Sequence, residues 1–89
     1  MTRLERIRTA LQSAFTPSLL VVTDDGHQHA GHEGARDGRG HFHVRIVSAA
    51  FVGLTPLARH RAIHAALGRM METDIHAVSI QASVPGEDD

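Results

Sequence analysis

Histidines are concentrated in one short stretch of this sequence. Five of the eight histidines lie between residues 24 and 43, in a segment that five glycines also interrupt. Because glycine adopts positive φ freely and loses the most entropy in regular structure, this composition predicts a loop that displays its histidines. An unperturbed imidazole has a pKa of ~6.5, and its neutral form offers a lone pair to borderline metals. The cluster therefore has three candidate roles: binding a metal, sensing pH, or simply solvating the loop.

The first three of these histidines, His27, His29 and His32, have the spacing H-x-H-x-x-H. Three imidazoles supply most of a tetrahedral zinc site, but structural zinc sites are usually closed by four well-supported protein ligands. A glycine-rich loop holds ligands poorly, so we favour a solvated loop over a dedicated zinc site. The G-x-x-G of residues 31–34 matches KH nucleic-acid modules only weakly, since the KH loop joins two helices and this one joins two predicted strands.

The composition limits the remaining chemistry. A chain of 89 residues is long enough for one small domain. The absence of cysteine excludes disulfides, thiolate nucleophiles and cysteine-based zinc sites, so any metal site must be built from histidine, carboxylate or the ligands of a partner. No nucleophile motif is present, and Ser48 and Ser79 are interpreted as ordinary strand residues, so we do not expect an enzyme.

The net charge and the hydropathy of the sequence indicate which partners and which cellular compartment to expect. Nine arginines and no lysine against ten acids give a net charge of −1, so overall basicity does not indicate a nucleic-acid partner. No apolar run approaches the ~20 residues that span a bilayer, and the N-terminus lacks the apolar core of a signal peptide. We expect a cytoplasmic protein without a membrane partner.

Two elements are predicted before the histidine segment. Apolar residues at three- and four-residue spacing predict an amphipathic helix that ends at Thr16-Pro17, with its arginines on a solvated face; they are Leu4, Ile7, Leu11, Ala14 and Phe15. Residues 19–22 form a short apolar run that is typical of a strand. After the histidine segment, Phe42, Val44 and Ile46 alternate with polar residues and predict a second strand. The simplest pairing is an antiparallel hairpin with the histidine loop at its tip.

A second helix and a third strand complete the predicted domain. Thr55 caps a helix that begins at Pro56, buries Ile63, Leu67 and Met70, packs His60 beside them, and ends at Asp74. Residues 75–82 alternate as a strand, with His76 on the face of Val78 and Ile80. A right-handed crossover makes this strand parallel to the second one, with both helices on one side of a mixed three-stranded sheet. We assign residues 1–85 to the domain and residues 86–89 to an acidic tail.

Several short motifs in a fixed order resemble the BolA family across nearly the whole chain. They are Asp24-Asp25 through His29-Ala30-Gly31-His32, His41-Phe42 with Val44 to Ser48, Ala50-Phe51-x-Gly53, Arg59-His60-Arg61, and Ile75-His76-Ala77-x-Ser79-Ile80. The resemblance implies a class II KH-like α+β fold in the order αββαβ, which agrees with the elements above.

The resemblance also implies a function. BolA proteins are partners of monothiol glutaredoxins, with which they form heterodimers that can share a [2Fe-2S] cluster held also by glutathione. By position, the family's ligands fall on His29 and His76, with His27 and His32 as rivals in the loop. Two imidazoles on one iron would be a Rieske-like arrangement, and we expect no cofactor in the isolated chain. Taken without the resemblance, His76 is better interpreted as a half-buried strand histidine bonded to a neighbour.

The family also contains DNA-binding transcription regulators, which supply the alternative function. A DNA surface would lie at the turn and helix around residues 51–61, where the clustered cations are Arg59, Arg61 and Arg69. DNA binding commonly involves several phosphate contacts, which a chain of this net charge supplies poorly unless it dimerises. The charge therefore favours the iron-sulfur role, and a weak homodimer stays open.

Overall fold

The computed structural model describes residues 1–25 and 40–87. The helices are α1 (Arg3–Phe15), a 3₁₀-helix (Ala49–Phe51), α2 (Pro56–Leu67) and α3 (Met70–Thr73). The strands are β1 (Leu19–Asp24), β2 (Gly40–Val47) and β3 (Ile75–Ser83). The predicted αββαβ order is confirmed, with the 3₁₀-helix as an addition. The prediction of one continuous helix from Pro56 to Asp74 is wrong, because α2 ends at Leu67, Gly68 caps it, and α3 is a separate turn. Within the described ranges, no helix has the length and hydropathy needed to cross a membrane.

The three strands form one mixed sheet in the order β1-β2-β3. Strand β1 is antiparallel to β2, and β3 is parallel to β2. The parallel pairing follows from the crossover through α2 and α3, which carries the chain back to the same end of the sheet. The expected mixed three-stranded sheet is therefore confirmed.

The hydrophobic core lies between one face of this sheet and the two long helices. Ile7 and Leu11 from α1 and Ile63 and Leu67 from α2 are buried in the same cluster as the inward-facing residues of β2, Phe42, Val44 and Ile46. Phe51 of the 3₁₀-helix joins this core, and its ring lies 4.9 Å from that of Phe15. The helices thus cover one face of the sheet, as predicted.

Side chains cap the helices and tie them together. Thr2 and Glu5 form a reciprocal capping box at the start of α1, and the hydrogen bonds from Thr2 lower the pKa of Glu5. Thr55 caps α2, with Pro56 in its first turn, as predicted. Ser48 is buried, donates to the carbonyl of Phe15 at 2.7 Å and accepts from the amide of the 3₁₀-helix. The interpretation of Ser48 as an ordinary strand residue is wrong. Ser48 follows the last residue of β2, and its hydroxyl connects the end of α1 to the start of the 3₁₀-helix.

Candidate metal centre

The second face of the sheet carries the polar residues of β2 and β3. On β2, His41, His43 and Arg45 alternate with the buried core residues, so they point to the side away from the helices. On β3, Ser79 and Gln81 are exposed and lie beside His43 and Arg45 in the parallel register. We call this side the open face of the sheet. It holds every strand histidine of the described residues.

His76 reaches the open face because β3 changes register at that position. Gly40 pairs with Ile75 and His41 pairs with Ala77, so His76 is the extra residue of a β-bulge. Ile75 is buried, His76 and Ala77 are both exposed, and the inward alternation resumes at Val78. The prediction that His76 shares a face with Val78 is therefore wrong. That prediction assumed strict alternation along β3, which the bulge interrupts.

The bulge places His76 against a histidine from the neighbouring strand. The ring centroids of His41 and His76 are 5.0 Å apart, and the ring planes are tilted by 34°. His41 is half-buried and His76 is exposed. The two rings are therefore neighbours, and an imidazole nitrogen can serve as a metal ligand or as a hydrogen-bonding partner. Sequence reasoning missed His41 because the pairing of β2 with β3, and hence its neighbour, is not visible in a single strand.

Backbone and ionic contacts fix the start of β3 beside this pair. The amide of Gly40 donates to the carbonyl of Asp74 at 2.9 Å, directly before the bulge. The carboxylate of Asp74 accepts a hydrogen bond from the guanidinium of Arg6, and Arg3 Nε lies 3.6 Å from Asp74 Oδ1. These contacts attach the N-terminal part of α1 to the segment that carries His76. The exposed histidine therefore stands on an anchored strand end.

The loop histidines His27, His29 and His32 lie outside the described residues. The described ends of that loop, Asp25 and Gly40, meet at the same end of the sheet, where the amide of Asp25 donates to the carbonyl of His41 at 2.8 Å. The assignment of His29 as a ligand stays a prediction. Within residues 1–25 and 40–87, no three metal-ligating side chains come together, so the described part of the site is the His41–His76 pair.

The arginines of the alternative DNA surface differ in their surroundings. Arg59 donates from Nε to the carbonyl of Leu54 at 3.0 Å, and from one terminal nitrogen to the carbonyl of Ala82 at 3.2 Å. The same guanidinium pairs with both carboxylate oxygens of Glu87, at 2.5 and 3.3 Å. This pairing raises the pKa of Arg59 and lowers the pKa of Glu87. Arg61 and Arg69 are exposed, whereas Arg59 links the start of α2 to the end of β3 and to Glu87.

The position of His60 differs from the prediction. His60 is exposed, whereas Arg59 is half-buried and lies one turn before the buried Ile63. The inner face of the first turn of α2 therefore carries Arg59, whose side chain contacts the end of β3. His60 lies on the solvent-exposed side of the helix. The expectation of a packed His60 is wrong.

Comparisons with known proteins agree on one family. A family model described as BolA-like protein matches residues 11–87. The chain is 43% identical over 89 residues to an uncharacterized protein of Sinorhizobium, covering 98% of this chain and 96% of the relative. It is 41% identical over 81 residues to human BolA-like protein 1. The aligned region covers 91% of this chain but only 57% of the human protein.

A second relative and a solved structure complete the comparison. The Escherichia coli relative, named DNA-binding transcriptional regulator BolA, is 37% identical over 76 residues, covering 85% of this chain and 70% of that protein. The structure of BolA1 from Arabidopsis thaliana superposes with a TM-score of 0.87 at 37% identity, covering 100% of this chain and 98% of the other. Because sequence, family model and fold agree over most of the chain, this protein belongs to the BolA-like family.

Proposed function

We propose that this protein is the partner of a monothiol glutaredoxin and shares or modulates a [2Fe-2S] cluster with it in iron-sulfur or iron homeostasis. The observation that carries the proposal is the exposed His76, held on the open face of the sheet beside His41. Membership of the BolA-like family makes the glutaredoxin the expected partner. We also propose a cytoplasmic location.

The donor set of this chain fits a shared cluster. Without cysteine, the chain can offer no thiolate to iron, and imidazole is an established ligand on one iron of a [2Fe-2S] centre. His76 would supply one imidazole from a fixed strand, and His29, or its rivals His27 and His32, the other. The thiolate of the glutaredoxin and glutathione would complete the second iron. The cluster itself supplies the redox-active iron, while this chain supplies a position and a ligand type.

Reconstitution tests this proposal. A cluster-loaded monothiol glutaredoxin is mixed with this protein and followed by size-exclusion chromatography and visible circular dichroism. We expect co-elution and a changed cluster spectrum, because a histidine-bearing partner replaces part of the original coordination. His76→Ala should destabilise the shared cluster more than His27→Ala or His32→Ala, since a strand holds one ligand and loop ligands can replace each other. Absence of both co-elution and a spectral change from the wild-type mixture would reject the proposal.

DNA binding is the second candidate, supported by the name of the Escherichia coli relative. In this chain, Arg59 is engaged by Glu87 and two carbonyls, which leaves Arg61 and Arg69 as the exposed cations of that surface. Two phosphate contacts give only a shallow dependence of affinity on salt. Fluorescence anisotropy with duplex DNA at several salt concentrations measures this. A steep salt dependence that Arg61→Ala and Arg69→Ala reduce would favour the regulator over the glutaredoxin partner.

A further inference from the structure

We propose that His60 and His64, on the solvent side of α2, chelate one borderline divalent cation of the Zn²⁺ class in the isolated chain. Both side chains are exposed, and within residues 1–25 and 40–87 neither makes a hydrogen bond, an ion pair or a ring contact. Their imidazoles are therefore available as ligands. The site goes beyond the proposed function, because it uses neither a glutaredoxin nor a cluster and lies on the helix side of the sheet, opposite the open face.

The spacing of the two histidines on the helix suits one metal ion. Residues four apart in an α-helix are separated by about 6 Å along the axis and by about 40° around it. Their side chains therefore lie on one face, with Cβ atoms about 5–6 Å apart. At a metal–nitrogen distance of about 2.0–2.1 Å and an angle of about 90–110° at the metal, two ligating nitrogens are about 2.9–3.4 Å apart. Rotation of the two side chains brings the rings to this separation, and helical histidines four residues apart bind zinc in metalloproteases.

The helix that carries the pair is fixed at both ends. The side chain of Thr55 caps its first turn, and the amide of Gly68 donates to the carbonyl of His64 at 3.0 Å. Between these caps, Ile63 and Leu67 are buried in the core, so the face that carries the histidines points to solvent. Binding a cation therefore orders two side chains on a preformed helix, which keeps the entropy cost low.

The charges near the pair are compatible with a cation. His64 lies in the last turn of α2, where the helix dipole contributes a partial negative charge that favours cations. His64, Arg69 and Glu72 line a groove at this end of the helix, and the charges of Arg69 and Glu72 are opposite in sign. Arg61 is exposed, but its side chain leaves the helix about 100° away from that of His60. The end of the helix therefore favours a cation next to His64.

Two protein ligands make this an exchangeable site. In the part of the chain that the structure describes, no three metal-ligating side chains come together, so solvent occupies the remaining coordination positions. Structural zinc sites, in contrast, are usually closed by four protein ligands. We therefore expect a cation that exchanges with the solution and stabilises α2 while it is bound.

A titration read at each histidine ring tests the site. The full chain is labelled with ¹⁵N and titrated with ZnCl₂, and the side-chain nitrogen resonances are followed by NMR, which separates this pair from the other histidines. We expect the resonances of His60 and His64 to shift together with one midpoint, because both rings bind the same ion. In His64→Gln, the Zn²⁺ midpoint of His60 should rise by about ten-fold or more, since loss of even an outer coordination partner has an effect of that size.

A variant that moves one histidine provides the matched control. The double substitution His64→Ala and Ala65→His keeps the number of helix histidines and changes only exposed positions, so the fold should be retained. It places the second imidazole about 140° around the helix from His60, too far round to share an ion. The His60 midpoint of this variant should therefore match that of His64→Gln.

Three results would overturn the proposal. They are separate midpoints for His60 and His64 in the unsubstituted chain, the absence of a shift at either ring, and a low His60 midpoint that persists when the second histidine is moved. Because the titration contains no glutaredoxin and no cluster, its outcome is independent of the outcome for the proposed function.

Discussion

Substitution of Gly40 by alanine should destabilise the fold at the start of β2. A Cβ at this position would lie 2.7 Å from Cε2 and 2.8 Å from Cζ of Phe42, whose side chain is only 3% exposed. These are ring-end atoms, but the core around the ring limits their escape. Overpacking of this kind costs about 1–3 kcal/mol.

An opposing effect makes the sign of this change informative. Gly40 is not among the positive-φ glycines, so alanine can adopt its backbone conformation. Reduced entropy of the unfolded chain would then stabilise the variant by about 0.4–1 kcal/mol if there were space for the methyl group. Combining the two ranges gives a net loss of about 0–2.6 kcal/mol, with a central value of about 1 kcal/mol. For a domain of this size, the central value corresponds to a fall in Tm of about 4–8 °C.

Chemical and thermal denaturation of Gly40→Ala, with and without Phe42→Leu, form a double-mutant cycle. Leucine lacks the two ring atoms that the new methyl group meets, so Gly40→Ala should cost less in the Phe42→Leu background. A coupling of about 0.5 kcal/mol or more is expected for residues in contact. Stabilisation by Gly40→Ala, or an equal cost in both backgrounds, would refute the close packing of Gly40 against Phe42.

Three further substitutions test other contacts. Ser48→Ala should lower the free energy of unfolding by about 1–3 kcal/mol, because it removes the partner of the Phe15 carbonyl and of a helix-starting amide; Ser79→Ala, on the open face, is the control and should have little effect in the same denaturation assay. Glu87→Gln should destabilise the protein at neutral pH, since Arg59 lowers the pKa of the Glu87 carboxyl in the folded state. That contribution is present above the unfolded carboxyl pKa and is lost as pH falls through the folded pKa, so wild type and variant should converge in strong acid; a constant difference across a pH series of unfolding curves would contradict it. His60→Ala should change stability by less than about 0.5 kcal/mol because the side chain is exposed, and a larger loss would restore the packed interpretation.

The sequence predicts most of the fold because its periodic patterns are strong and local. The alternation of Phe42, Val44 and Ile46 places β2, and the Thr55-Pro56 start places α2. The parallel arrangement of β2 and β3 then follows from the helical crossover between them, which returns the chain to the same end of the sheet. The capping box of α1 also has a local signal, since threonine is followed three residues later by glutamate, although sequence reasoning overlooked it.

The site is less predictable because it depends on pairing between distant segments. From the sequence alone, either the odd-numbered or the even-numbered residues of the segment 75–82 could face the core. The pairing of Gly40 with Ile75 and of His41 with Ala77 shows that a bulge at His76 changes the alternation within the strand. The His41–His76 contact joins residues 35 positions apart and depends on that bulge. His60 was misplaced for a similar reason, since the contact of Arg59 with the carbonyl of Ala82 joins distant segments and the helical pattern alone does not show it.

The most direct test of the glutaredoxin-partner proposal asks whether a histidine of this chain ligates the cluster iron. This protein is labelled with ¹⁵N, combined with an unlabelled cluster-loaded monothiol glutaredoxin, reduced, and studied by pulsed electron paramagnetic resonance. We expect ¹⁵N hyperfine couplings typical of iron-bound imidazole, which weaken or vanish in His76→Ala. A stable shared cluster whose spectrum shows no ¹⁵N coupling from this chain would contradict histidine ligation and assign every cluster ligand to the glutaredoxin side.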